Sequence, residues 1–196
     1  MKRNFITAVL MTIATTVLLG LIYPLVVTGL AQVIFPKQAN GQLIEQNGKV
    51  VGSRIIGQGF TGAAYFHPRP SATTVPYDAA NSAGSNLGPT NQKLIDRVKQ
   101  DVAALQAENP GQPIPIEMVT TSASGFDPHI SPAAAEFQLP RVAKERGVSL
   151  DQLRGMVAKH TEGRQFGFLG EPRVNVLELN LDLDQQFPAL KQAKAN

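Results

Sequence analysis

Between Arg3 and Lys37 the chain carries no charged residue, and this run, FITAVLMTIATTVLLGLIYPLVVTGLAQVIF, constrains the fold more than any other feature. A bilayer core about 30 Å thick is crossed by roughly 20 helical residues, so the run is long enough to span it as one helix. Lys2 and Arg3 precede the run with the terminal amine, whereas only Lys37 follows closely. The positive-inside bias therefore predicts a cytoplasmic N-terminus over residues 1–4, an anchor helix over 5–35 and an exported domain over 36–196. The rival reading is a cleaved signal peptide, because Gly29-Leu30-Ala31 has the small-x-small form of a cleavage site. The apolar stretch before Ala31 is about twice the usual 7–15-residue signal core, which favours the retained anchor.

The net charge of +3 on a 196-residue chain invites a nucleic-acid reading, but its distribution removes it. Lys2, Arg3 and Lys37 flank the apolar run and account for the whole excess, so the remainder of the chain is formally neutral. No basic patch or basic–aromatic run remains, and nucleic acid is not an expected partner. The absence of cysteine rules out disulfides, thiol catalysis and cysteine-based zinc sites, without fixing the compartment.

Within the anchor, Ala8, Thr12, Thr16, Gly20, Pro24 and Thr28 recur at every fourth position. Small residues at this spacing let a second membrane helix approach closely, and threonines can hydrogen-bond across the contact. Because 3.6 does not divide into 4, the ridge slants around the helix, so only part of it meets any one neighbour. Pro24 is expected to kink the helix or change its path. The competing reading is that threonine and glycine are simply common in membrane helices; a partner helix, alongside lipid, is the expectation carried forward.

After Lys37 the pattern becomes that of one mixed α+β extracytoplasmic domain. In QLIEQNGKVVGSRIIGQ (42–58), Asn47-Gly48 stands between two apolar runs, a strong hairpin signal. In VNVLELNLDLD, Leu177, Leu179, Leu181 and Leu183 alternate with polar residues, which predicts a half-buried strand. IPIEMVTT (114–121) alternates likewise and is the expected pairing partner. Residues 91–107 place Leu94, Val98, Val102 and Leu105 on one helical face, with Asn109-Pro110-Gly111 as the stop. A helix over about 132–146 has Ser131 as its N-cap and Pro132 at its first position; Pro140 is expected to bend or divide it, and Gly147 to close it. Ser149 and Gln152 form a capping box for a last helix, 150–160. The segment 57–90 is rich in glycine, proline, serine and asparagine yet carries Phe60, Tyr65, Phe66 and Tyr77. Flexible linkers lack such aromatics, so an ordered loop packed on the domain is expected.

Catalytic and metal-binding motifs are mostly missing. Gly48-Lys49-Val50 lacks the spacing and hydroxyl of a phosphate-binding loop, and GSNLG (84–88) has its serine in the wrong place for a nucleophile elbow. His67, His129 and His160 share no metal-ligand spacing. The cluster TTSASGFDPHISPAAAEF (120–137) offers Ser122, Ser124, Asp127 and His129 for a hydrolytic set, yet a catalytic triad is a spatial arrangement, and adjacency in sequence does not make one. Gly125-Phe126-Asp127-Pro128 is better explained as turn chemistry leading into a capped helix. An anchored serine hydrolase using Ser124 or Ser85 with His129 is the alternative kept open.

Four segments, in order, resemble hallmarks of the C subunit of Kdp-type potassium-transporting ATPases: GQGFTGAAYFHPRPSA (57–72), SAGSNLGPTN (82–91), TTSASGFDPHISP (120–132) and GEPRVNVLELNLDL (170–183). The similarity covers nearly the whole chain, and the departures are small: Ala83 where a second glycine is usual, Phe126 where leucine is usual. The resemblance implies an accessory, non-catalytic subunit of an ATP-driven potassium uptake pump in a bacterial inner membrane. Its companions would be a channel-like A subunit, a P-type B subunit that hydrolyses ATP, and a small F subunit. No cofactor of its own is implied; ATP and magnesium belong to the B subunit, and K⁺ is the transported ion. A catalytic-chaperone role for the C subunit is also implied. Since the topology puts residues 38–196 outside and ATP inside, that effect would have to travel through the anchor or the partners.

The motif residues expected at a partner contact, or in the rigid core beneath one, follow segment by segment. The first contributes Tyr65, Phe66, Arg69, Pro70 and Ser71, and the second Ser85, Asn86, Leu87 and Gly88. The third contributes Ser122, Ser124, Gly125, Asp127, Pro128 and His129, and the fourth Arg173 and Asn175. Thr12, Thr16, Gly20 and Pro24 of the anchor ridge complete the set.

Overall fold

In the computed structural model residues 1–188 are described, and the chain divides into two units, Met1–Ser53 and the part from Arg54 onward. The first unit opens with one uninterrupted helix, Lys2–Ile34, long and apolar enough to cross a membrane. It comprises α1 (Lys2–Thr15), a π-helical stretch (Thr16–Ile22) and α2 (Tyr23–Ile34). The expected disturbance at Pro24 is thus expressed one turn earlier. Pro24 cannot donate to Gly20 and its ring crowds that carbonyl, and the wider π turn, in which Tyr23 N–H reaches Leu18 O, absorbs the mismatch. Thr7, Thr12 and Thr15 return their hydroxyls to Arg3 O, Ala8 O and Met11 O at 2.8–2.9 Å, so none exposes an unsatisfied donor. After the short α3 (Pro36–Ala39), β1 (Leu43–Gln46) and β2 (Lys49–Ser53) form the expected antiparallel hairpin. Asn47 (φ 52°) and Gly48 (φ 72°) both take the left-handed conformation its two-residue turn requires.

The second unit is an α+β domain built on α5 (Pro132–Arg146). Ser131 caps it by accepting from Ala134 N–H, and Gly147, at φ 66°, ends it. Pro140 does not divide it, because Leu139 and Val142, both fully buried, tie the two halves to one core. The capping box of Ser149 and Gln152 starts α6 (Leu150–Lys159). Three short strands, β3 (His129–Ile130), β4 (Thr161–Glu162) and β5 (Arg173–Asn175), make an antiparallel sheet with β5 in the centre. α4 (Gln92–Glu108), capped by Asn91, buries no residue completely and packs through its half-buried Leu105.

Two expected strands are corrected. Residues 176–186 form a helix, α7 (Val176–Gln186), and only Arg173–Asn175 remain extended. The alternating leucines also satisfy helical spacing: Val176, Leu179, Asn180 and Leu183 fall at i, i+3, i+4 and i+7, and all are buried. Asn175 starts the helix by accepting from Glu178 N–H at 3.1 Å. The segment 114–121 holds a 3₁₀ turn, Ile116–Met118, rather than a strand. Pro113 and Pro115 have no N–H for a ladder, and burial does not alternate: Ile116 is 77% exposed while the neighbours Met118 and Val119 are both buried.

Candidate functional site

Three of the four motif segments meet at the turn 122–128, whose polar side chains are committed to shaping backbone. Ser122 Oγ accepts from Gly125 N–H at 2.9 Å, and Ser124 Oγ accepts from Phe126 N–H at 3.4 Å. Asp127 Oδ1 accepts from His129 N–H at 3.0 Å. These are the local hydroxyl and carboxylate turns such residues favour.

The other segments are laid directly on this turn. Gly57 N–H donates to Phe126 O at 2.8 Å, and a Cβ on Gly57 would stand 2.6 Å from Asp127 O, so only glycine fits. Ser71 Oγ donates to Gly125 O at 2.6 Å and accepts from Tyr77 N–H at 3.2 Å. From the second motif, Ala83 N–H and Ser82 Oγ both donate to Ser124 O at 3.1 Å. Arg69 closes the assembly: it pairs with Asp127 at 3.2 Å, donates to Thr121 O at 3.3 Å, and its own carbonyl accepts from Tyr77 Oη at 2.6 Å. Burial, aided by the Asp127 carboxylate, pushes the Tyr77 phenol well above its usual range, so it acts as a donor. Arg69 Nε is buried without a partner.

The stretch 63–67 is held differently, by side chains from α5 and α7 that read its backbone. Asn180 brackets the buried Phe66, accepting from its N–H and donating to its carbonyl, both at 2.9 Å. Gln138 does the same for His67 at 2.7 and 3.0 Å. Arg141 donates to Ala63 O and Tyr65 O at 2.6 and 2.7 Å. Arg146, its side chain fully buried, donates to Ala64 O and Phe187 O, pairs with Asp184, and lies 4.7 Å over the Tyr65 ring. A buried backbone needs partners for every N–H and C=O, and here side chains supply what a sheet would otherwise supply. The 57–90 loop is therefore ordered without regular secondary structure.

The fourth motif joins through the sheet. His129 stands opposite Asn175 in the register, and Val176 N–H donates to Pro128 O at 3.0 Å. Asn175 Nδ2 donates to Arg54 O at 2.8 Å. Arg173 pairs with Glu162 at 2.9 Å, and Arg54 bridges Glu162 and Glu178. Burial, reinforced by the Arg173 charge, holds the His129 imidazole below its ordinary pKa despite Asp127, whose carboxylate is 3.9 Å from Nδ1.

The structure thus brings together Arg69, Ser71, Ser122, Ser124, Gly125, Asp127, Pro128, His129, Arg173 and Asn175. It places Tyr65 and Phe66 over the α5–α7 core. Among the described residues Ser85 and Asn86 find no side-chain hydrogen-bond partner, although Asn86 adopts φ 51°. Pro70, Leu87 and Gly88 belong to the path of the loop, and Thr12, Thr16, Gly20 and Pro24 lie on the helix of the first unit. No hydrogen bond joins His129 to Ser85 or Ser124, so the nucleophile–base pair of a serine hydrolase is not formed. Among the described residues no group of three or more histidines and carboxylates is gathered as for a metal ion. A cleft of about 510 Å³ between residues 109–115, α5 and α6 is lined by none of the motif residues. Sequence reasoning missed Gln138, Arg141, Arg146 and Asn180. Polar residues inside an otherwise apolar helical face were the available signal.

A helix able to cross a membrane, followed by an α+β domain whose motif residues brace its loops, fits a single-pass membrane protein. The chain belongs to the KdpC family, the c chain of K⁺-transporting ATPases, whose family model matches residues 5–185. It is similar to the potassium-transporting ATPase KdpC subunit of Koribacter versatilis, 71% identical across 96% of this chain and 97% of the relative. The KdpC subunits of Rhodopseudomonas palustris and Methylobacterium nodulans are 59% and 55% identical, each match covering 94% of this chain and 98% of the relative.

Proposed function

We propose that this chain is the accessory, non-catalytic subunit of an ATP-driven potassium uptake pump. In this reading residues 5–35 anchor it in the inner membrane with the N-terminus cytoplasmic, and residues 36–196 stand outside. Its partners are the channel-like A subunit, the ATP-hydrolysing B subunit and the small F subunit; K⁺ is the cargo, and ATP with magnesium stays on the B subunit. The observation that carries the reading, beside family membership, is that the motif side chains are consumed in bracing backbone. Ser71, Ser122, Ser124 and Asp127 each hold a neighbouring peptide group, so the four segments build a rigid surface rather than a reactive centre. Such a surface supports the assembly and activity of a partner through a coupling between conformational states, which includes any rise in the B subunit's affinity for ATP.

The test is to express the remaining pump chains with and without this one, then to measure co-purification and potassium-stimulated ATPase activity. Loss of stimulated activity in its absence, restored by adding the chain, is the expected result. Full activity without it would refute the reading. The anchor ridge adds a second arm: Thr16→Leu or Gly20→Leu is expected to reduce co-purification while the domain stays folded.

A further inference from the structure

The π stretch of the anchor helix makes room for the ring of Pro24, yet it leaves a backbone acceptor without a donor. Tyr23 N–H is bonded to Leu18 O, and Pro24 has no N–H. Leu19 O therefore receives neither the bond from position 23 that an α-helix supplies nor the bond from position 24 that a π-helix supplies. No side chain of the helix substitutes for them. A threonine hydroxyl reaches the carbonyl three or four residues back, as those of Thr7, Thr12 and Thr15 do. Leu19 O would need such a hydroxyl at position 22 or 23. Those positions hold Ile22 and Tyr23, and the tyrosine hydroxyl stands at the far end of its ring.

Depth makes this carbonyl costly. Leu19 lies just past the midpoint of Lys2–Ile34, about 22 Å from the nearer end at 1.5 Å per residue. In a bilayer core about 30 Å thick that position is beyond headgroups and bulk water, where an unpaired backbone group is strongly unfavourable. Lipid tails carry no donor, so lipid cannot be its partner. Freed backbone groups in spanning helices are tolerated where a neighbouring helix pairs with them. Access is open: a Cβ placed on the adjacent Gly20 would meet, apart from the helix's own backbone, only Thr16 Cγ2 at 3.8 Å. Between Val17 and Val27 the sole side-chain donor is the Tyr23 phenol, so a second copy inserted in the same direction brings no short donor to this depth.

We infer that the Leu19 carbonyl accepts a hydrogen bond from a neutral donor side chain, a hydroxyl, carboxamide or indole, on a membrane helix of another chain of the pump. This rests on the pump-subunit reading above and gives the anchor a polar contact, distinct from the close packing of its small residues. A charged donor is disfavoured because its burial at this depth is itself costly.

The test is a competition in which the parent chain and a variant with a different affinity tag are co-expressed with the remaining pump chains. Their ratio in the purified complex is compared with their ratio in the membrane. Pro24→Ala returns an N–H to the helix, so Leu19 O regains a backbone bond. Tyr23→Thr offers Leu19 O a hydroxyl from within the chain, and Tyr23→Val has the same shape without it. The expected result is incorporation about three- to fifteen-fold lower for Pro24→Ala than for the parent, and lower by a similar factor for Tyr23→Thr than for Tyr23→Val. Equal incorporation of Tyr23→Thr and Tyr23→Val would overturn the inference whatever Pro24→Ala does, because the pair differs only in the hydroxyl. A Pro24→Ala chain incorporated as well as the parent would also overturn it. Self-association of the full chain alone in detergent, abolished by Tyr23→Thr but not by Tyr23→Val, would make the donor a second copy's and overturn it likewise. Failure of the parent chain to co-purify with the pump would instead refute the pump reading itself, and the inference with it.

Discussion

Gly125→Ala tests whether the braced turn is as tightly built as its hydrogen bonds imply. Gly125 has φ 80°, in the left-handed region, and an L-residue held there costs about 1–2 kcal/mol. The added Cβ would also stand 2.5 Å from Thr73 Cγ2 and 2.8 Å from Ala83 O. Neither neighbour yields easily. Thr73 is buried with its hydroxyl bonded to Ser71 and Val75, and Ala83 is tied to Ser124 through its N–H. Overpacking of this kind adds roughly 1–3 kcal/mol, for a total of about 2–5 kcal/mol. For a domain of this size that corresponds to a fall in Tm of about 8–20 °C. The assay is thermal unfolding of the full-length chain in detergent, followed by circular dichroism. Gly163→Ala serves as the control, because nothing lies within 4 Å of its Cβ position and its φ is not positive. A Gly125→Ala protein melting within about 2 °C of the parent would refute the close approach of the three segments.

Asn180→Leu is expected to destabilise by about 2–4 kcal/mol in the same assay, since it leaves the fully buried Phe66 N–H and C=O unpaired while keeping side-chain volume. Gly155→Ala acts in the opposite sense. This glycine sits inside α6 with open space at its Cβ position, so alanine is expected to stabilise by about 0.5–1 kcal/mol. His67 and His129 both titrate below their ordinary value of 6.5, chiefly through burial, with Arg141 and Arg173 adding to it. The unfolded chain then binds these protons first as pH falls, so stability is full above about 6.5 and declines below it. A Tm that is flat from about pH 7.5 to 5 would contradict this, and His129→Gln is expected to reduce the decline.

Much of the architecture was legible in the chain because its signals are local. The uncharged run after Arg3, the Asn47-Gly48 turn, the Ser131 and Ser149 caps and the Gly147 stop each depend on a few adjacent residues, and each formed as read. The converging motif surface was legible only as a set of segments. Their meeting point depends on Gly57, Gly84 and Gly125, whose need for close approach involves residues far away in sequence.

By itself, then, the sequence determined a membrane-length helix, a hairpin and the capped helices that follow, because backbone capping, turn geometry and hydropathy act over short range. Tertiary structure decided the rest. The leucines of 177–183 satisfy two periods, and only burial of Val176, Leu179, Asn180 and Leu183 on one side selected the helix. The loop 57–90 has no ladder of its own; Asn180, Gln138, Arg141 and Arg146 reach across the core to hold its stretch 63–67, and the turn 122–128 holds Gly57, Ser71, Ser82 and Ala83. The exposed Phe166 and Phe168 could not have been told from core aromatics before the fold showed which phenylalanines it leaves outside. Long-range packing chooses among the conformations that local chemistry permits, and that choice is made only when distant side chains meet.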